Sequence, residues 1–236
     1  VERDGTLSGR LSADSNGNRF TIDTELRDVA IEPLLRATVG RDGLSGRGRV
    51  TLALRTQGPT MGAIRAATEG TAHLALRDGA VRGLNLAQSL REFKARIGRD
   101  EDTDQSDFTR STDFSQFDAD LQISKGVGTV TELDLRAPLL RVSAGEPARI
   151  DFAGDRYYLV LHANAVGSLQ GQDGADLALL RHVTIPLHVT GTLSSPVYKI
   201  LWSQVGQEVL GQRLRDALGD RFGGDAKAAE EKLDGV

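Results

Sequence analysis

The sequence predicts an α+β fold that is mostly antiparallel β: a large curved sheet or groove of many short strands, with a few amphipathic helices. Three observations carry this. Apolar and polar residues alternate in a long series of short runs, and Gly, Asp and Ser turns rather than helical crossovers separate most of those runs. Where the hydrophobic period changes to the three-or-four spacing of a helix, it does so only briefly: Ala72, Leu74 and Leu76 share a sheet face, whereas Leu86, Leu90, Phe93 and Ile97 recur at helical intervals. The segment that makes this switch also has a counterpart. Leu26, Arg27, Asp28, Ala30 and Leu34 recur as Leu76, Arg77, Asp78, Ala80 and Leu84, an offset of 50 residues. The chain is expected to use one unit twice: strand, tight corner at Asp78 and Gly79 or their equivalents, short helix.

In chain order, Phe20, Ile22, Thr24 and Leu26 alternate with Thr21, Asp23 and Glu25, the pattern of an antiparallel strand wet on one face. A short helix is expected around Pro33 to Val39. Gly40, Gly43, Gly46 and Gly48 punctuate the next corner, and Val50, Leu52 and Leu54 resume the alternation until Gly58 and Pro59 end it. Thr60 is placed to cap a small helix reaching Ala67. After the second strand-corner-helix unit, 84–97, the run from Arg99 to Ser111 is polar and acidic, and it reads as a mobile loop because it offers too little apolar surface to repay ordering. Strands follow at Phe117–Ile123, Leu133–Leu135, Ile150–Phe152, Tyr157–Leu161 and Val183–Val189. Val205, Val209, Leu214, Leu218 and Phe222 fall on one face of a last amphipathic helix, and 223–236 reads as a flexible tail. Residues 1–222 are expected to form one β-rich domain, with 99–111 as a point of subdivision.

Composition narrows the function classes. The chain has 236 residues, enough to bury a sizeable core, and no cysteine, which excludes disulfide and thiol chemistry. Its net charge of −4 and 5% aromatic content disfavour nucleic acid as a partner, since binders of nucleic acid need a basic field and often stacking platforms. No apolar stretch approaches the roughly 20 residues that span a bilayer, and the start lacks the basic flank and apolar centre of a signal peptide. Because the chain starts without methionine and enters directly on a strand pattern, a longer protein with any membrane anchor upstream is expected.

No constellation for catalysis, metal or cofactor emerges. His182 and His188 lie six apart on one expected strand, about 20 Å at about 3.3 Å per residue, too far to share an ion, and His73 and His162 stand without a carboxylate motif nearby. Asp100, Asp102 and Asp104 imitate the first half of a calcium loop, but Gln105 replaces the required glycine and Ser111 the bidentate glutamate. There is no GxxxxGK, no GxGxxG after a strand, and no GxSxG, since Arg47 follows Gly43, Leu44, Ser45 and Gly46. A non-enzymatic protein without cofactors is therefore expected. What remains is a succession of apolar strand faces, and the few helices leave two alternatives for them: a covered core, or a partly open groove.

The stretch GNRF at 17–20, GRGRVTLALRTQG at 46–58, LRDGAVRGLNLAQSLREFKARIG at 76–98, TDFSQF at 112–117, LRAPLLRV at 135–142 and VTIPLHVTGTLSSPVY at 183–198 resembles the C-terminal region of AsmA family proteins, in order and spacing, from Leu7 to Val205. The resemblance implies an envelope protein of diderm bacteria, periplasmic and tethered to the inner membrane by an absent upstream helix. It also implies kinship with bridge-like proteins that carry phospholipid along a β-sheet groove, and a role in outer-membrane assembly. It brings no catalytic residues, and the acidic 99–111 run is where relatives vary.

On this reading the partner is phospholipid or another acyl lipid, shielded by a lining of Leu52, Leu54, Leu74, Leu76, Leu121, Ile123, Leu133, Leu135, Leu159, Leu161, Ile185 and Leu187. For each of them taken singly, plain core packed beneath a helix is the favoured reading and the groove lining the alternative. The alternative function is a scaffold that binds envelope-assembly proteins through sheet edges or through the helix bearing Val205, Val209, Leu214, Leu218 and Phe222.

Overall fold

The computed structural model describes residues 5–40, 43–86, 88–89, 107–166 and 184–205. They form a single ten-stranded sheet in which every strand pairs antiparallel with its neighbour in sequence. The strands are β1 (Thr6–Asp14), β2 (Arg19–Ala30), β3 (Arg47–Gln57), β4 (Glu69–Gly83), β5 (Asp107–Ser124), β6 (Val127–Arg136), β7 (Leu140–Asp151), β8 (Arg156–Ala165), β9 (Thr184–Thr192) and β10 (Ser195–Ile200). Helix α1 (Ile31–Val39) joins β2 to β3, and α2 (Met61–Ala66) joins β3 to β4. The α+β, mostly antiparallel architecture is the one the alternation predicts.

Register turns that alternation into continuous apolar rungs across the strands. One rung runs Leu7, Leu26, Val50, Leu74, Ala119, Leu133 from β1 to β6. The next but one on the same face runs Leu11, Ile22, Leu54, Gly70, Ile123, Gly128, Ile150, Tyr157. A third, Gly48, Leu76, Phe117, Leu135, Val142, Ala163, Ile185, reaches β9. The opposite face is polar, with Glu25 between Arg27 and Arg49 at 2.6 and 3.1 Å. The Arg27 hydrogen bond holds the Glu25 carboxyl below its ordinary value.

The repeated unit exists, with a different corner. Asp28 and Asp78 are both left-handed, with φ of 58° and 51°, and each kinks its strand without ending it. β4 runs on to Gly83, and Asn85 starts the following helical turn by accepting from the Gln88 N–H at 2.9 Å. Four residues beyond the expected corner therefore belong to the strand. They stay extended because the returning chain pairs with them: Leu44 bridges Val81, the Ser45 N–H donates to the Ala80 carbonyl at 2.8 Å, and the Ala80 N–H donates to Ser45 Oγ at 2.9 Å.

Other boundaries shift for local reasons. α1 begins at Ile31 rather than Pro33, because proline is tolerated in a first turn where no N–H partner is needed, and Gly40 closes it at φ 77°. α2 has the expected cap, Thr60 Oγ1 accepting from the Ala63 N–H at 3.2 Å. β5 starts at Asp107, so 107–111 is strand rather than loop. Its polar residues pair with β4, Ser111 lying opposite Arg82. β7 ends at Asp151, and Phe152 lies in the turn that follows. The remainder of the acidic run with Asp100, Asp102 and Asp104, the helix past Ser89, His182 and Val183, the last helix past Val205, and the tail all lie outside the described residues.

Candidate functional site

The sheet is bent enough to bring distant strands together. At about 4.8 Å per strand, β3 and β9 would lie about 29 Å apart in a flat sheet. Instead Leu52 and Leu54 of β3 border the same cavity, of about 580 Å³, as Leu193 and Ser194 from the β9–β10 turn. Curvature therefore makes the rung-bearing face concave.

Opposite ends of this concave face are treated differently. At one end the rung through Leu76 is sealed. Leu76, Ile185 and Ile200 are fully buried, and Ile31 of α1, Leu84, Leu86, Trp202 and Val205 pack into the same cluster. A leucine fully removed from water contributes on the order of 1.5–3 kcal/mol, so this end acts as an ordinary core. Tyr198 belongs to it, and burial pushes its phenol well above the usual range; Tyr157 shifts the same way for the same cause.

The other end holds the cavity. Its floor is Leu52, Leu54, Ala72, Ile123 and Phe152, with Leu35 and Thr38 of α1 on one side. Its rim carries Arg65 at the end of α2, Thr68, Asp155 from the β7–β8 turn, and Ser194. The volume falls within the roughly 300–1,000 Å³ of pockets for small organic ligands. Nothing in the floor can donate a proton, attack a carbon or hold a cation; its contacts are non-directional and suit hydrocarbon.

The structure thus sorts the twelve predicted lining residues. Leu52, Leu54 and Ile123 border the cavity. Leu76, Leu135, Ile185 and Leu187 are buried in the sealed cluster, with Leu74, Leu133, Leu159 and Leu161 packed against it half-buried. Leu121 lies one rung over, opposite Ala72 and Val130, also half-buried. Of the five residues predicted on the terminal helix, Val205 is fully buried and presents no surface to a partner; Val209, Leu214, Leu218 and Phe222 lie outside the described residues.

Sequence reasoning missed several members of the site. Leu35, Arg65, Phe152, Asp155 and Leu193 come from two helices and two turns whose convergence depends on sheet curvature, and no local spacing reports that. His73 is likewise not isolated: its Nδ1 lies 2.7 Å from Asp120 Oδ1 on the next strand, on the polar face. The pair is solvent-facing, 41% and 43% exposed, and stands apart from the cavity.

A second hollow, of about 960 Å³, marks a break in the ladder. β6–β7 pairing lapses between Thr129 and Asp134 and β7–β8 pairing between Ala144 and Ala148. Thr129, Thr131, Glu146, Arg149 and His162 line it beside small apolar groups. Among the described residues no three His, Asp or Glu side chains converge to hold a metal ion, and no helix is long and apolar enough to cross a membrane.

No solved structure matches the chain. Protein AsmA of Escherichia coli (strain K12) is 25% identical over an alignment of 238 residues, which takes in 97% of this chain and 38% of that relative. The chain therefore spans well under half the length of the curated relative. The sequence model of the AsmA family matches residues 5–133, more than half of the chain, with β1 to β5 and both helices inside it. By that match, the protein belongs to the AsmA family.

Proposed function

We propose that this chain is a non-enzymatic lipid-handling module of the bacterial envelope, which shields phospholipid acyl chains in its concave apolar cavity while the headgroup stays in water. Family membership supports a place in envelope biogenesis or lipid transport, and with it a periplasmic location tethered to the inner membrane. The carrying observation is the half of the concave face left unsealed among the described residues, where Leu52, Leu54, Ala72, Ile123 and Phe152 form an apolar floor with no reactive group among them. Each methylene removed from water contributes about 0.8 kcal/mol, so about ten shielded carbons offset much of the cost of leaving a bilayer. Non-directional contacts also let a chain slide, as transfer requires.

The test is native mass spectrometry of the purified chain, together with photo-crosslinking from the cavity. Co-purified phospholipid, lost in Leu54→Asp while the fold is retained, is the expected result. If Leu54→Asp folds and still captures lipid, the cavity is not the shield.

One observation favours a second reading, a protein-binding scaffold. Among the described residues β1 is an edge strand exposed along its whole length, and its rung residues Leu7 and Leu11 are each 71% exposed. An edge of unpaired backbone groups with apolar side chains suits a further strand from an envelope-assembly protein. A specific protein retained by the chain, lost on Leu11→Asp, with no lipid in the mass spectrum, would favour it.

A further inference from the structure

We infer that the cavity selects a zwitterionic lipid head, a phosphodiester carrying a primary ammonium, with Arg65 receiving the anion and Asp155 the ammonium. This rests on the acyl-shielding reading and adds a headgroup class to it. The two side chains lie on the rim of one cavity and carry opposite charges, yet among the described residues they form no ion pair with each other or with any other group. Fixed opposite charges left unpaired around one opening are complementary to a ligand that brings both signs.

The neutral rim groups are already committed. Thr38 Oγ1 donates to the Leu34 carbonyl at 2.8 Å, Thr68 Oγ1 donates to the Ile64 carbonyl at 2.8 Å, and Ser194 Oγ lies 3.3 Å from Thr192 Oγ1. Asp155 spends one oxygen, Oδ1, in accepting from the Leu193 N–H at 3.2 Å, a bond that ties the β7–β8 turn to the β9–β10 turn. Its other oxygen is left to accept from a ligand. The guanidinium of Arg65 keeps its forked donors, the geometry that suits a phosphate. A primary ammonium fits the carboxylate better than a quaternary one, which favours an aromatic cage; the cavity offers the single ring of Phe152.

The experiment measures binding of the intact chain to vesicles or detergent-dispersed lipids with identical dioleoyl tails and three heads: phosphoethanolamine, phosphocholine and phosphoglycerol. Expected is a roughly three- to fivefold preference for phosphoethanolamine, the size of an exposed charge pair, shrinking at high salt. Asp155→Asn keeps an acceptor for the Leu193 N–H while removing the charge, so it should erase the preference over phosphoglycerol without unfolding the chain. Arg65→Gln should weaken all three about threefold. Lipid bound without head preference, or a preference unchanged in Asp155→Asn, overturns the headgroup assignment and leaves acyl shielding standing. Failure of all three lipids to bind overturns acyl shielding, and the headgroup assignment with it.

Discussion

The division of the concave face into a sealed half and an open half makes a quantitative prediction about two leucines in the same sheet. Leu76→Ala removes a side chain that is 0% exposed and surrounded by the sealed cluster, so it loses transfer free energy and leaves an enclosed void. Such truncations cost about 2–5 kcal/mol. Taking roughly 3 kcal/mol, and roughly 2–4 °C per kcal/mol for a chain of this size, the melting temperature should fall by about 6–12 °C. Leu54→Ala removes the same atoms from a half-buried side chain that already borders the cavity. About three methylene equivalents at about 0.8 kcal/mol, roughly half of them in contact, give about 1 kcal/mol, with no void term because the space merges with one already open. Urea titration checks this through the midpoints, provided the slope is the same for all three proteins. Equal losses for the two variants would mean that the cavity is closed in solution, and the argument for an open half would fail.

Three further outcomes follow from particular residues. Burial raises the phenols of Tyr198 and Tyr157, so the folded state keeps protons that the unfolded state releases from pH 10 upward; their stabilisation is complete below pH 10 and is lost as pH rises through the raised folded values. Thermal melts from pH 8 to 12 should show that loss, with a shallower decline in Tyr198→Phe. Asp78→Val places a β-branched residue at φ 51° and should cost about 1–2 kcal/mol in urea unfolding, whereas Asp78→Gly should be neutral or slightly stabilising. Gly70→Ala should lower the melting temperature markedly, since a Cβ there would run into the Ala53 carbonyl oxygen and φ is 137°.

Most of the fold was legible because a half-wet antiparallel strand writes its own period. Phe20, Ile22, Thr24 and Leu26, or Phe117, Ala119, Leu121 and Ile123, alternate so regularly that facing and antiparallel class follow directly. The corner at Asp78 misled because an aspartate–glycine pair signals a turn equally well whether the chain reverses or only kinks. The deciding interaction, Ser45 with Ala80, spans 35 residues and leaves no local trace. Leu54 and Leu76 illustrate the limit at the site. Both are inward strand leucines with the same alternation, yet one borders a cavity and the other is sealed, because coverage depends on what the intervening loops do. The charged rim was hidden for a related reason: Arg65 and Asp155 are 90 residues apart in sequence and come to border one cavity only in the folded sheet.

That coverage follows from the meander itself. In a sheet whose strands pair strictly in sequence, every connection from an odd to an even strand falls at one end and every connection from an even to an odd strand at the other. At the first end four of the five links are short: the four residues 15–18, Lys125–Gly126, the four residues 152–155, and Leu193–Ser194, while the link carrying α2 ends at the rim with Arg65. Turns of that length close a hairpin and have no residues to spare for crossing a concave face. At the second end the links are longer, 31–46, 84–106 and 166–183, with only 137–139 short. Where these are described they do cross it, as Ile31, Leu84 and Leu86 in the sealed cluster show. Alternation therefore makes the face apolar, curvature makes it concave, and the unequal lengths of the links decide which half can admit a ligand. Shortening the 31–46 link to a hairpin turn should extend the open half toward Leu76 and destabilise the chain together, because the same residues that would line a longer groove now form its core.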